Sequence, residues 1–371
     1  MEDSKPGHSQ EPQQVKQITA SPGTKTASKS SSAESLRGTV TYPFGSEQPV
    51  IEADPETLAV ENDTDSTFGH DSASSTQSMR PSQWDYTYEN GRRYHSYGST
   101  PYFSPNDEPE NDRLDICAHM FSLLMDGELH YAPIGNDPQR ILDLGTGTGI
   151  WAIDMADKYP SAFVIGNDIS PVQTNVIPPN LQFEVDDIEQ EWQYSYQFDF
   201  IHCRYLNGAI RDWPKLVQQA FKYTKPGGWV EFMDFTMTFY TNNGEFKPGC
   251  AIDMWTRELK AWLASIGVEA EPGPKLKGWI TDAGFENIHE RNVALPVGMW
   301  PKDKKFKEIG TFNLIQFLEN LEGFSLRAMT SRGWDIDEIK VFLATVRNEF
   351  KNPKFRMQHD GYIIWAQKPA K

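Results

Sequence analysis

From residue 140 onward, short apolar runs alternate with stretches whose apolar residues recur every three or four positions, the pattern of a largely parallel α/β sheet. Runs at 141–144, 162–165, 181–185, 198–202 and 229–235 predict five strands, with helices at 150–159 and 213–224. The crossover after the second run should be mostly loop, because Pro171, Pro178 and Pro179 each stop a helix. A Pro226-Gly227-Gly228 turn leads into the fifth run. A helix at 249–267 places Met254, Trp255, Leu259 and Leu263 at core spacing, and a shorter one at 276–283 stops at Gly284. Runs at 288–295 and 362–366 bring the sheet to about seven strands. Between them, residues 305–350 predict an inserted layer of two helices, with Phe312, Ile315, Leu318 and Leu321 on one face.

The N-terminal part reads differently. Residues 1–80 are rich in Ser, Thr, Gln, Pro and acidic residues, with Tyr42, Phe44 and Phe68 as their only aromatics. Too little apolar surface is present to offset the entropy of ordering them, so a disordered tail dispensable for folding is expected. The folded domain should span 81–371. Its first part, 89–130, mixes aromatics, glycines and charges without a period, forming a clasp that runs into a helix at 114–129 with Leu114, Ala118, Phe121, Leu124 and Met125 on one face.

A formal charge of −17 argues against gripping nucleic acid, which needs clustered Lys and Arg. The run from Lys302 to Lys307 reads as a solvated surface loop. Cys117, Cys203 and Cys250 are too scattered for zinc or a disulfide framework, so no metal is expected and a reducing compartment fits. Neither a signal-peptide pattern nor a bilayer-length apolar run occurs, so the expectation is a protein that is not secreted and does not enter membranes.

The chemistry concentrates in ILDLGTGTG at 141–149. A strand running into Gly145, Gly147 and Gly149 lets the backbone approach a ligand at the carboxyl end of the sheet and aims helix amides at it. The spacing is not that of a nicotinamide loop, since Ile150 stands where one would continue and Asp143 precedes the turn. An acidic Asp143 repels a pyrophosphate and suits an ammonium, such as that on the methionine half of S-adenosylmethionine. Asp168, ending the second strand, is placed for two ribose hydroxyls, or as a plain strand-end residue. Asp187 is placed for the adenine amino group with Ile188 against the ring, and Asp186 is its competitor. His202, Cys203, Arg204 and Tyr205 end the fourth strand, where an acceptor would meet the donor. His202 is the candidate for proton handling, set against a satisfied, half-buried ring; Cys203 reads as packing, because displacement from a sulfonium needs no covalent enzyme intermediate.

These segments resemble the fungal LaeA-like class I S-adenosylmethionine-dependent methyltransferases. The likeness rests on ENGRRYH at 89–95, PNDEPENDRLD at 105–115, ILDLGTGTGIWAIDMADKYP at 141–160 and GYIIWAQKP at 361–369. It implies a class I fold with S-adenosylmethionine held by Asp143, Gly145, Gly147, Asp168 and Asp187, to which Thr146 and Ile188 are added as candidates. It makes Arg93 and Tyr94 candidates to cover the cofactor, or to clasp the sheet. It implies a small-molecule methyl acceptor in secondary metabolism; the other reading is a nuclear regulator acting through protein partners, which leaves the location cytoplasmic or nuclear. A nucleic-acid methyltransferase is disfavoured, because His202-Cys203-Arg204-Tyr205 replaces the [DNS]-P-P-[FYW] loop that such enzymes carry after the fourth strand.

Overall fold

The computed structural model describes residues 39–41, 47–57, 86–97 and 102–371. In chain order the elements are β1 (Thr39–Thr41), β2 (Glu47–Pro49), β3 (Thr87–Glu89), β4 (Arg92–Tyr94), α1 (Glu108–Leu124), β5 (Arg140–Leu144), α2 (Ile150–Lys158), β6 (Phe163–Asp168), β7 (Leu181–Val185), β8 (Phe198–Arg204), α3 (Trp213–Tyr223), β9 (Thr224–Phe235), α4 (Ala251–Ser265), α5 (Gly273–Ala283), β10 (Glu286–Pro296), α6 (Lys304–Glu319), α7 (Leu321–Ser331), α8 (Ile336–Phe350) and β11 (Gln358–Gln367).

Seven strands form one sheet in the order β10-β11-β9-β8-β5-β6-β7. Neighbours from β7 to β9 pair in parallel, whereas β11 is antiparallel to both β9 and β10, so it alone runs against the rest. The order reverses at β5, flanked by β6 and β8, and a crevice opens there at the carboxyl ends of the strands. Leu142, Leu144, Ile201 and Cys203 point to one face, into a core shared with α3 and α5; Cys203 is therefore a packing residue. Asp143, His202 and Glu231 lie in one register row on the opposite face.

Several expectations change. The helix expected at 114–129 begins six residues earlier, because Asp107 accepts the Glu110 amide and Pro109 suits the first turn. On α4, Trp255, Leu259 and Leu263 are buried but Met254 is 42% exposed. The inserted layer holds three helices, not two. The buried face of α6 is Ile309, Gly310, Asn313 and Gln316, while Phe312, Ile315 and Leu318 are only half-buried. Its polar members are buried because each has a partner across the helix interface. The run from Lys302 to Lys307 opens α6, and Lys302, Lys305 and Lys307 pair with Glu52, Asp126 and Asp54.

Those pairings also revise the tail. Most of it, residues 1–38, 42–46 and 58–80, lies outside the described residues. Residues 51–57 dock on the domain: the Asp54 amide donates to the Trp300 carbonyl at 2.7 Å and the Lys302 amide to the Glu52 carbonyl at 2.8 Å. Ala53 bridges Pro301.

Candidate functional site

The crevice beside β5 opens into a cavity of about 1000 Å³, mouth included. Its floor is set by backbone conformation. Gly145, Gly147 and Gly149 all have positive φ (65°, 59° and 86°), which L side chains rarely adopt. A methyl group on Gly145 would lie 2.6 Å from Leu206, and one on Gly149 would lie 2.3 Å from the Phe183 ring. The glycines thus keep the turn low and the space above it open.

Asp143, next to last in β5, has both oxygens engaged. Oδ1 lies 2.7 Å from His202 Nδ1, and Oδ2 accepts the Thr146 hydroxyl at 2.6 Å. His202 is 2% exposed and stacks on Trp151 at 3.7 Å between ring centres. Burial lowers its pKa despite the neighbouring carboxylate, which favours the neutral ring with Nδ1–H donating to Asp143. His202 lines the cavity beside Asp143, with Nδ1 turned to the carboxylate.

Asp168 lines the same cavity and receives two backbone amides, Gly147 on Oδ2 and Ser170 on Oδ1, each at 2.9 Å. Burial outweighs these bonds and pushes its carboxyl up to about 6. Asp186 and Asp187 both line the far end. Asp187 is held on its turn by the Glu189 amide at 3.0 Å and Gln190 Nε2 at 3.2 Å; Ile188 beside it reaches both cavity and core.

Arg204 is a site residue whose role the sequence reading passed over. Lying two positions after His202 on β8, it faces the same side, and its guanidinium sits 4.7 Å from the centre of the Phe121 ring. Among the described residues it makes no ion pair or hydrogen bond, and burial lowers its pKa. The sequence signal was present, a cation closing an apolar strand, but its lack of a partner is legible only in three dimensions. Tyr102, Tyr205 and Leu206 also line the cavity and had been given no role in holding a cofactor.

Arg93 and Tyr94 lie outside the cavity lining. Arg93 donates to Asn106 Oδ1 at 3.2 Å and pairs with Glu108, while the Tyr94 ring is buried under Arg327 at 3.7 Å. These are the contacts of a clasp. Arg93 nevertheless touches the site at one remove, since Asn106 Nδ2 donates to Ser170 Oγ at 3.2 Å and the Ser170 amide holds Asp168.

A glycine-floored cavity at the switch point, walled by carboxylates and one unpaired arginine, on a sheet with a single reversed strand, defines a class I methyltransferase. The donor set fits S-adenosylmethionine: acidic groups for its ammonium and hydroxyls, a cation for its carboxylate, and open glycines beneath it. Residues 117–290 match a family model described as a methyltransferase domain. The chain is 38% identical over 301 residues to the methyltransferase pytC of Aspergillus terreus, covering 81% of this chain and 93% of that protein. It is 36% identical over 301 residues to the secondary metabolism regulator LAE1 of Cochliobolus heterostrophus, covering 78% and 97%. It is 35% identical over 316 residues to the secondary metabolism regulator laeA of Aspergillus fumigatus, covering 81% and 82%. The chain belongs to this fungal LaeA-like family of S-adenosylmethionine-dependent methyltransferases. Among the described residues no helix is long and apolar enough to cross a membrane.

Proposed function

We propose that the protein methylates a small organic molecule of fungal secondary metabolism, with Asp143, Gly145, Thr146, Gly147, Asp168, Asp187, Ile188 and Arg204 forming the cofactor side of the site. The observation that carries this reading is the charge arrangement of the cavity, one arginine without a carboxylate partner facing a wall of carboxylates. S-adenosylmethionine supplies a methyl group already activated by its sulfonium for in-line displacement. The chain's own residues orient and dry the site. Asp143 meets the ammonium, and His202 and Thr146 fix the carboxylate's angle, which makes His202 a positioning residue. Arg204 meets the cofactor carboxylate, and Phe121, Trp151 and Leu206 exclude water. Asp168 takes the ribose, while Asp187 and Ile188 frame the base. Titration calorimetry of the full chain with S-adenosylmethionine tests the reading; a folded sample with no binding heat and no thermal shift would sink it.

The likeness to LAE1 and laeA supports a second reading, a regulator working in the nucleus through protein partners. Deleting the gene and profiling metabolites separates the two. Loss of one compound series fits the biosynthetic enzyme; loss of many unrelated compounds fits the regulator.

A further inference from the structure

Next to the cofactor cavity lies a second hollow of about 890 Å³, mouth included. Tyr102, Leu114 and Tyr205 belong to the walls of both. The hollow is built where α4, α6 and α7 cover the end of the sheet. Phe103, Phe239, Trp255, Trp262, Phe317 and Phe324 give it an aromatic wall. Several of these rings meet edge to face, Phe103 on Trp262 at 6.0 Å and Trp255 on Phe317 at 6.4 Å, so the wall is held by its own ring contacts.

The polar groups at the hollow carry no unmatched charge. Arg113 is neutralised by Glu110 through bonds of 2.7 and 2.9 Å. His359 has both nitrogens engaged, by Asn313 at 3.0 Å and the Thr236 carbonyl at 3.0 Å, and burial holds it neutral by lowering its pKa to about 4. What remains for a ligand is hydrogen bonding, from the second Nε2 hydrogen of Gln316 and the Asn207 side chain.

Tyr205 forms the partition. Its φ of 61° is left-handed, a costly conformation for a tyrosine, and it persists because the backbone amide is tied to the Met233 carbonyl at 2.9 Å and the phenol oxygen accepts from Arg113 at 3.1 Å. A residue pinned in this way between two cavities sets how far apart their contents lie.

We infer that the second hollow is the methyl-acceptor site and that it takes a flat aromatic molecule, uncharged on entry, whose hydroxyl or ring nitrogen lies at the Tyr205 edge; the sulfur–methyl bond breaks as the oxygen–methyl or nitrogen–methyl bond forms, S-adenosylhomocysteine leaves, and a hydroxyl's proton passes to water at the mouth of the hollow. This rests on the methyltransferase reading of the first cavity. An aromatic wall of this extent suits a ligand that leaves water completely, not a side chain still attached to a polypeptide.

The test uses 2-naphthol as the probe and equilibrium dialysis of the full chain, with and without saturating S-adenosylhomocysteine. Two variants, Leu259→Trp and Leu263→Trp, fill the hollow from α4 at positions that do not themselves line the cofactor cavity. Naphthol should bind as well or better with S-adenosylhomocysteine present, and each variant should weaken it at least roughly tenfold while S-adenosylhomocysteine still binds. Displacement of naphthol by S-adenosylhomocysteine, full naphthol affinity in a folded variant, or no naphthol binding up to its solubility limit would each overturn the inference. Should both variants misfold, the displacement arm on the unaltered chain still decides. If S-adenosylhomocysteine itself fails to bind, the reading of the first cavity falls and takes the acceptor role with it. If it binds and naphthol does not, this inference alone falls.

Discussion

Replacing Asp168 separates cofactor recognition from fold maintenance. Each of its oxygens already accepts one backbone amide, from Gly147 and from Ser170, both at 2.9 Å. A carboxylate oxygen has two acceptor sites, so acceptor capacity remains for the ribose hydroxyls. Hydrogen bonds to a charged group contribute about 1.5–3 kcal/mol each, so Asp168→Ala should raise the dissociation constant of S-adenosylhomocysteine on the order of 100-fold or more. Asp168→Asn keeps an acceptor for one backbone amide but turns an NH2 group toward the other. It should therefore bind with intermediate affinity while losing melting temperature.

Acidity supplies a second readout. The carboxyl titrates at about 6 in the fold against an ordinary value of 3.8. A raised carboxyl means the native state takes the proton first, so this group costs stability above pH 6, and the cost is relieved as pH falls from about 6 to about 4. The size is on the order of 3 kcal/mol, from about two pH units at roughly 1.4 kcal/mol each. Cofactor affinity should move the other way and drop below pH 6, as the charge that meets the ribose is lost. Titration calorimetry and thermal melts between pH 5 and 8 on the parent and both variants read these opposed trends. A stably folded Asp168→Ala protein with unchanged affinity would show that the residue only ties its loop to Ser170 and Gly147.

Arg204→Gln should weaken S-adenosylhomocysteine binding at least about tenfold with an equal or higher melting temperature, because it removes a desolvated charge that lacks a protein partner; unchanged affinity by calorimetry would dismiss the assigned contact. Glu110→Gln leaves the Arg113 charge buried without its carboxylate and should cost about 3–5 kcal/mol, read as a shift of the denaturant midpoint; a loss under about 1 kcal/mol would contradict the pairing described. Removing residues 1–57 should lower the melting temperature below that of a chain starting at residue 47, since only the shorter protein loses the pairing of residues 51–57 with Trp300–Lys307; identical melts would mean that this contact contributes nothing.

The parallel strands were legible because each is a short apolar run that must be buried on both faces, and Asp143, Asp168 and Asp187 stand out as acids ending such runs. The α6 interface was not legible, for a definite reason. Asn313 and Gln316 count as surface residues in any hydrophobic period, yet they are buried because Arg113, His359 and the Pro296 carbonyl complete their hydrogen bonds from other elements. Sequence periodicity records polarity and not partnership. The same limit explains Arg93 and Tyr94, whose segment was visible but whose direction depends on Asn106 and Arg327. Residues 51–57 were assigned to the tail by composition, although two backbone hydrogen bonds and two ion pairs suffice to dock so short a stretch.

The polar chain linking the clasp to the inserted layer has an evolutionary consequence. Arg92 bonds Asp107 and Asn320, Asn320 bonds Glu110, and Glu110 bonds Arg113, which reaches Gln316. This joint holds α1 against α6 and α7 through side chains that tolerate little change, since each loss strands a buried polar group. Leu259 and Leu263, by contrast, face the second hollow with no polar atoms and can be exchanged for other apolar residues at the cost of packing alone. A gene family built on this plan can diversify one compartment by ordinary apolar drift while the other keeps its dimensions, so new specificities arise without a new way of holding the donor.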